Sequence, residues 1–190
     1  MDNNTHDLGI MKQLGLQTRI KPPPKVIECY WSLPPRGWLK VNTDGASKGN
    51  PGIAGWGAVL RKDDGALVGV SIGGLGVETC FIAETTAIIE GIIMAAEMGW
   101  QNIWVEADSE AAVAALRNNK PHWKLKQQWD YIKLMHLNLL ITANKREANF
   151  AADTCARKGT HLQASQKLRW NTPPFQLPLE NHNSVYYRFC

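Results

Sequence analysis

The sequence has 190 residues, of which 44% are hydrophobic and 20% charged, and its net charge is +4 at pH 7. A chain of this length and composition can form one globular domain with a buried core and additional terminal segments. It contains no run of about 18 apolar residues, the length that a membrane-spanning helix needs, so we expect no membrane association.

The cysteines and the N-terminal segment indicate an intracellular protein. The four cysteines are widely separated and lack the paired spacing of zinc sites, so we expect reduced thiols. The first 21 residues lack the apolar core of a signal peptide. We therefore expect a nuclear or cytoplasmic location, and the mildly basic charge is compatible with an anionic partner such as nucleic acid.

Both ends of the chain are rich in proline. Residues 1–36 are polar at first and then contain two proline clusters, which predicts a flexible lead with extended segments. Residues 161–190 form a second proline-containing segment that ends in aromatic residues. These features predict one domain at residues 37–160, between the lead and the tail.

Hydrophobic periodicity predicts five strands and four helices within this domain. The Asp64-Gly65 pair predicts a hairpin between the second and third strands. Gly99 is a suitable C-terminal cap for the long helix before it. The predicted strands are residues 39–44, 56–61, 66–72, 103–108 and 137–142, and the predicted helices are residues 79–98, 110–117, 124–135 and 147–158.

The order β-β-β-α-β-α-α-β-α is typical of an α/β protein. An antiparallel start followed by β-α-β crossovers implies a mixed sheet flanked by helices. Ligands of such sheets gather near the carboxyl ends of the strands. Asp44 and Asp108 each end a predicted strand, so we expect both carboxylates at this edge.

A third acid, Glu84, lies on the apolar side of the long helix. At about 100° per residue, Glu90 and Glu97 form a solvated stripe, and Glu84 lies roughly 120° away from it. A carboxylate on the apolar side is costly to bury unless something pairs with it. A fourth acid, Asp153, lies in the first turns of the last predicted helix.

Four carboxylates in one pocket would repel each other strongly unless cations lay between them, so a divalent-metal site is the leading interpretation. Each acid alone has a simpler explanation. Asp44 can start a turn and Glu84 can interact with the helix dipole. Asp108 can assist a helix N-cap and Asp153 can be a solvated surface residue. The metal interpretation therefore depends on the four acids together.

Residues 39–158 resemble a type 1 ribonuclease H domain, and most closely the ribonuclease H-like domains of plant retroelement-derived proteins. Each matching fragment is short, but all of them occur in order over about 120 residues. The matching fragments are VNTDGAS at 41–47, GNPG at 49–52, AE at 83–84, VEADS at 105–109, REAN at 146–149 and AD at 152–153.

The resemblance implies a ribonuclease H-like fold with a five-stranded sheet whose first three strands are antiparallel. It also implies that Asp44, Glu84, Asp108 and Asp153 are catalytic acids that hold two Mg²⁺ ions, with Mn²⁺ as a substitute. Two ions of this kind activate a water and neutralise charge on the transferring phosphate. The implied reaction is cleavage of the RNA strand in an RNA–DNA hybrid.

Hybrid recognition requires contacts to phosphates and to the RNA 2′-OH. By resemblance, the loop after the first strand supplies them through Lys48, Gly49 and Asn50. Thr85, beside Glu84, is a further candidate. Trp123 and Lys124 lie in a short segment where longer family members carry a basic protrusion, and an exposed Trp can stack on a base or sugar. We expect the protein to act on the hybrid as a monomer.

The sequence departs from the family at Ala143, where the family usually has a His that assists proton transfer or product departure. This substitution suggests slower turnover. Two interpretations therefore stay open, an active ribonuclease H and a catalytically weak or inactive hybrid-binding module. The chain can equally be a remnant of a retroelement polyprotein or an independent gene.

A 3′–5′ exonuclease of the same general fold is a further alternative that the first strand argues against. Such enzymes have an Asp-x-Glu pattern on that strand. Here Asp44 is followed by Gly45 and Ala46.

Overall fold

The computed structural model describes residues 5–15, 23–173 and 175–190. None of the helices in these ranges is long and apolar enough to cross a membrane. The helices are α1 (Thr5–Gln13), α2 (Cys80–Glu97), α3 (Glu110–Arg117), α4 (Lys126–Leu134) and α5 (Phe150–Gly159), and 3-10 turns occupy Trp123–Leu125 and Arg146–Ala148. The strands are β1 (Val26–Tyr30), β2 (Leu39–Gly49), β3 (Gly52–Arg61), β4 (Leu67–Glu78), β5 (Asn102–Ala107), β6 (Asn138–Ala143), β7 (Lys167–Trp170) and β8 (Val185–Phe189).

The central sheet has the order β6-β5-β2-β3-β4-β7. β2, β3 and β4 form an antiparallel meander, and β5 and β6 run parallel to β2. The mixed sheet and the predicted order of elements are confirmed. The predicted count of five strands is wrong, because residues 167–170 of the tail pair antiparallel with the free edge of β4 and add a sixth strand.

Helices cover both faces of this sheet. Side chains alternate along each strand, so Ala58 and Leu60 face the core beneath α2, while Val59 faces the smaller core beneath α5. α3 and α4 lie on the α2 side, where they complete the larger core. The predicted solvated stripe on α2 is partly wrong, since Glu90 is only 3% exposed and pairs with Lys167 of the added strand at 2.5 Å.

The lead and the tail pair with each other. β1 and β8 form a two-stranded antiparallel ribbon in which Val26 lies opposite Phe189. Cys29 and Trp31 are buried, and with Ala148 they form a small core that Tyr186 also contacts. Residues 26–30 are therefore ordered rather than part of a flexible lead, because the tail supplies their hydrogen-bonding partner. The predicted domain boundaries otherwise stay a prediction.

A buried polar network attaches both ends to the central sheet. The Arg61 guanidinium stacks on the Trp31 ring, 3.6 Å from its centroid, and pairs with the Glu180 carboxylate at 2.5 Å. The other Glu180 oxygen accepts a hydrogen bond from the Ala151 N–H at the start of α5. Asn42 accepts hydrogen bonds from both Trp31 and Arg61. The network therefore links the lead, β2, β3, α5 and the tail.

Candidate metal-binding cleft

Three of the four predicted acids meet at one edge of the sheet. Asp44 lies within β2, Glu84 lies in the second turn of α2, and Asp108 directly follows β5. One carboxylate oxygen from each lies within 4.8 Å of the others. The parallel register places Thr43 beside Ala107, so the residue that follows each of them is an acid and the two acids are neighbours.

The absence of a side chain at Gly45 brings Glu84 to the sheet. A Cβ atom at this position would lie 2.1 Å from the Glu84 backbone nitrogen, well inside the contact distance. The Gly45 N–H also donates a hydrogen bond to a Glu84 carboxylate oxygen at 3.0 Å. Gly45 therefore sets the separation between the acid of β2 and the acid of α2.

We expect Gly45→Ala to push α2 away from β2 and to weaken cation binding at the cleft. Overpacking of this kind costs about 1–3 kcal/mol of unfolding free energy. Chemical denaturation and titration with Mn²⁺ measure the two effects. Gly9→Ala is the control, since a Cβ at Gly9 meets no atom within 4 Å. Unchanged Mn²⁺ affinity in Gly45→Ala would contradict this role.

The carboxylates are held in surroundings that favour their protonated forms when no cation is present. Burial, followed by the charges of Glu84 and Asp108, raises the pKa of Asp44 to about 10. Burial and Asp108 raise the pKa of Glu84 to about 8, although the Gly45 N–H opposes this shift. Burial also raises the pKa of Asp108. The charge of Arg146 opposes these shifts but does not cancel them, so the three carboxylates would repel each other if all were ionised.

The donor set fits a hard divalent cation. Oδ2 of Asp44 and Oδ1 of Asp108 are buried and have no hydrogen-bond partner within the described part of the chain. Buried oxygens without partners are costly, and a cation bound by carboxylates removes that cost. Oxygen ligands without His or Cys are those that Mg²⁺ and Mn²⁺ prefer. The thiol of Cys80 lies 4.0 Å from Glu84, but burial and the neighbouring acids raise its pKa, which disfavours the thiolate.

Asp153 stands apart from the three-acid cluster. Its carboxylate is paired with Arg146 and, at 2.8 Å, with Arg157. Arg146 also lies 3.9 Å from Asp108, so its guanidinium lies between the fourth acid and the cluster. The sequence signal for the Arg157 pair was available, since residues four apart on a helix are neighbours. No sequence pattern indicated the Arg146 pair.

β2 continues past Asp44 to Gly49, so Lys48 and Gly49 belong to the strand and the predicted loop is reduced to the turn at Asn50 and Pro51. Lys48 lines the cleft of about 400 Å³ together with Gly45, Glu84, Asp108 and Arg146. Gly49 has a φ of 109°, a conformation that favours glycine. The Asn50 side chain accepts a hydrogen bond at 3.1 Å from the Cys80 N–H, which attaches the loop to the start of α2.

The remaining predicted contacts lie elsewhere. Thr85 is fully buried and its hydroxyl donates to the Phe81 carbonyl at 2.8 Å, so the structure contradicts the predicted phosphate contact. Trp123 is 75% exposed, and Lys124 pairs with Glu78 at 2.5 Å. Both lie outside the acidic cleft, near a groove between α2 and α4.

Ala143 ends β6 and is exposed. It pairs with Ala107, the residue before Asp108. It lines a groove with Glu110 and Arg117 of α3 rather than the acidic cleft. Among the described residues, no His lines the cleft of the three acids.

The domain that carries this cleft matches the model of a known protein family. Residues 42–159 match the model described as reverse transcriptase-like. The chain belongs to this family. The match contains all four predicted acids and begins at Asn42, a member of the polar network that attaches both ends of the chain to the sheet. The resemblance to ribonuclease H domains is confirmed by the names of the relatives.

Two relatives illustrate the similarity. The chain is 35% identical over 138 residues to a candidate ribonuclease H protein of Arabidopsis thaliana, a match that covers 66% of this chain and 21% of the relative. It is 40% identical over 87 residues to a ribonuclease H of Anaplasma marginale, which covers 46% of this chain and 54% of the relative. The chain thus spans about a fifth and about half of these proteins.

Solved structures confirm the ribonuclease H-like α/β fold. The chain is similar to ribonuclease H1 of Halobacterium salinarum, with 28% identity and a TM-score of 0.58 over 65% of this chain and 98% of that one. It is equally similar to LC11 ribonuclease H1 in complex with an RNA/DNA hybrid, with 26% identity and a TM-score of 0.58 over 65% and 96% of the two chains.

Proposed function

We propose that the protein is a metal-dependent endonuclease that hydrolyses the RNA strand of RNA–DNA hybrids. The observation that carries the proposal is the meeting of Asp44, Glu84 and Asp108 in one cleft, with two buried oxygens that lack hydrogen-bond partners among the described residues. Membership of the family and the hybrid bound by a structural neighbour support the substrate. The proposed ions are two Mg²⁺, with Mn²⁺ as a substitute.

Asp44, Glu84 and Asp108 would hold the first ion, and Asp44 and Asp153 would hold the second. When bound, such ions polarise the phosphate and lower the pKa of a water that attacks it. Asp44 would be shared because it is the most deeply buried of the four and because the charges of all three other acids act on it. The second position requires Asp153 to exchange its pairs with Arg146 and Arg157 for a cation.

The other residues of the cleft would bind and orient the hybrid. Lys48 provides a positive charge for a backbone phosphate. The loop of Gly49 and Asn50 is attached to α2, which holds it at a fixed distance from Glu84 and allows it to contact the RNA 2′-OH. Exposed Trp123 and Lys124 lie on a separate surface, suited to the DNA strand or to flanking duplex.

A second candidate function is hybrid binding with weak or no cleavage. Two observations favour it, the occupation of Asp153 by two arginines and the place of Ala143 beside α3. In this case the cleft would bind one ion and a phosphate but would not assemble the second ion site. The candidate differs from the first in turnover and not in the partner that it binds.

Cleavage assays on matched duplexes separate the two candidates. The substrates are an RNA–DNA hybrid, an RNA duplex and a DNA duplex of one sequence, each incubated with Mg²⁺ or Mn²⁺. Internal cleavage of RNA in the hybrid alone supports the nuclease. Binding of the hybrid without cleavage selects the second candidate, and failure to bind or cut the hybrid rejects both.

Arg146→Ala is expected to raise the affinity for Mn²⁺ in the absence of nucleic acid, by roughly three- to tenfold. The change removes a positive charge that lies between Asp108 and Asp153, and charges a few ångströms apart interact by several tenths of a kcal/mol or more at a protein surface. Calorimetric titration measures this affinity. Arg169→Ala, which breaks the exposed pair with Glu97, is the control. Weaker Mn²⁺ binding in Arg146→Ala would show that Arg146 orders the acids.

A further inference from the structure

The tail places an arginine beside the acidic cleft. Along β8, Tyr186 and Arg188 share the face that packs on the domain, while Tyr187 and Phe189 face away from it. The contacts of Tyr186 identify this face. Its ring packs edge-on against Phe150, with 5.5 Å between the ring centroids, and its hydroxyl accepts a hydrogen bond from the Asn181 N–H. Arg188 lies two residues further on, next to the 3-10 turn that carries Arg146.

Arg188 lines a groove that adjoins the cleft of the acids. This groove has a volume of about 430 Å³, and its walls are Asp108, Glu110, Asn144, Lys145, Arg146 and Arg188. Asp108 and Arg146 also line the cleft, so the two depressions share a wall. A polynucleotide with one phosphate at the acids can therefore place a neighbouring phosphate in the groove without leaving the surface.

The charges of the groove favour an anion at its tail side. Lys145 makes a pair of 3.4 Å with Glu110, whose side chain is 78% exposed, and such a pair contributes little in water. Arg146 is engaged by Asp153. Among the described residues, the Arg188 guanidinium has no hydrogen bond and no ion pair. An exposed guanidinium without a partner, close to a lysine, is suited to bidentate contact with a phosphate.

We propose that Arg188 and Lys145 form a binding site for the nucleic-acid phosphate next to the one that lies at the acids. The inference rests on the proposed function for the identity of the ligand. The arginine comes from residues outside the family match at 42–159, so the tail of this chain would extend the substrate-binding surface of the family domain. The site would bind the negatively charged phosphate of the nucleic-acid backbone and would not distinguish base sequences.

Salt-dependent binding of a hybrid tests the site. Affinity is measured in the Asp44→Asn background with Mg²⁺, with and without Arg188→Ala, over a series of salt concentrations. Loss of one phosphate contact is expected to weaken binding roughly three- to tenfold near 0.1 M salt and to reduce the slope of log K against log salt by about 1. Lys145→Ala is expected to have a smaller effect in the same direction.

A neutral phosphate analogue locates the contact. Single methylphosphonates placed in turn along each strand remove one backbone charge at a time. At the contacted phosphate, the methylphosphonate combined with Arg188→Ala should weaken binding by no more than either change alone. At every other position the two effects should add.

The controls separate this inference from the proposed function. Arg36→Ala removes the same charge from an exposed position of the lead, and Tyr187→Ser alters β8 on its opposite face. Tight hybrid binding with an unchanged affinity and salt slope in Arg188→Ala overturns the site and leaves the proposed function standing. Persistent cleavage by Asp44→Asn overturns the proposed metal cleft, whereas the phosphate site is judged by binding alone. A wild-type protein that does not bind the hybrid overturns both.

Discussion

Asp44→Asn is expected to reduce cleavage of an RNA–DNA hybrid by about 10³-fold or more and to stabilise the metal-free protein. The first effect follows because groups that neutralise charge in a transition state typically contribute about 10²–10³-fold each, and Asp44 would hold both ions. The second follows because the Asn amide can donate hydrogen bonds to the Glu84 and Asp108 carboxylates, which repel Asp44. Removing one buried unsatisfied oxygen is worth about 1–3 kcal/mol.

The pH dependence gives this prediction a sign. The pKa of Asp44 is about 10 in the folded protein, whereas the ordinary pKa of an Asp carboxyl group is 3.8. Between pH 3.8 and pH 10 the folded state therefore binds more protons than the unfolded state. The free energy of unfolding that the protonated Asp44 contributes is fully present below about pH 4 and is lost as the pH rises towards 10. In EDTA, the wild-type protein should lose stability across this range more steeply than Asp44→Asn.

Thermal melts in EDTA and in Mg²⁺ measure both effects. For a chain of this size, each kcal/mol shifts the melting temperature by about 2–4 °C. Mg²⁺ should raise the melting temperature of the wild-type protein and have little effect on Asp44→Asn. Asp130→Asn is the control, because Asp130 is exposed and pairs only with nearby lysines. A less stable Asp44→Asn in EDTA would contradict the repulsion between the acids.

Glu180→Ala is expected to destabilise the protein by about 3–5 kcal/mol, although Glu180 lies outside the matched family region. The change leaves the Arg61 guanidinium buried without its carboxylate, and breaking a buried ion pair from one side typically costs this much. It also removes the hydrogen-bond acceptor of the Ala151 N–H, which lies in the first turn of α5, the helix that carries Asp153. Chemical denaturation measures the loss.

Three further variants interpret the result. Glu180→Gln keeps an acceptor but loses the charge, so an intermediate loss is expected. Arg61→Met combined with Glu180→Leu removes both charges and should be less damaging than Glu180→Ala. Glu97→Ala breaks an exposed pair and should cost less than about 1 kcal/mol. Wild-type stability of Glu180→Ala would mean that the tail is not docked on the sheet.

The sequence was most informative where the periodicity was strong and the partner close in the chain. The meander and α2 have long periodic patterns, and Asp44 and Asp108 were predicted at the ends of two strands that pair directly with each other, although β2 continues past Asp44 to Gly49. Glu84 was predicted from its place on the apolar side of a helix. These three residues meet in the structure because β2 and β5 are parallel neighbours and Gly45 admits α2.

Other features could not be predicted because their partners are distant or their segments short. β7 and β8 have four and five residues, too few for a periodic signal, and each pairs with a strand far away in sequence. Glu90 was predicted on a solvated stripe because no sequence pattern indicated that the distant Lys167 would pair with it. Thr85 was chosen as a neighbour of Glu84 in sequence, but adjacent residues on a helix face different directions.

The pairing of β1 with β8 has a consequence for the order in which the chain assembles. β1 is synthesised before the central sheet, and its partner β8 follows more than 150 residues later. During that interval Trp31 and Cys29 lack the strand that helps to cover them, while the meander of β2, β3 and β4 can form from local contacts. Closing the ribbon last is inexpensive, because the folded sheet has already brought both ends together and little loop entropy remains to be lost. The nascent protein can therefore acquire its acidic cleft before the arginine of the tail arrives beside it.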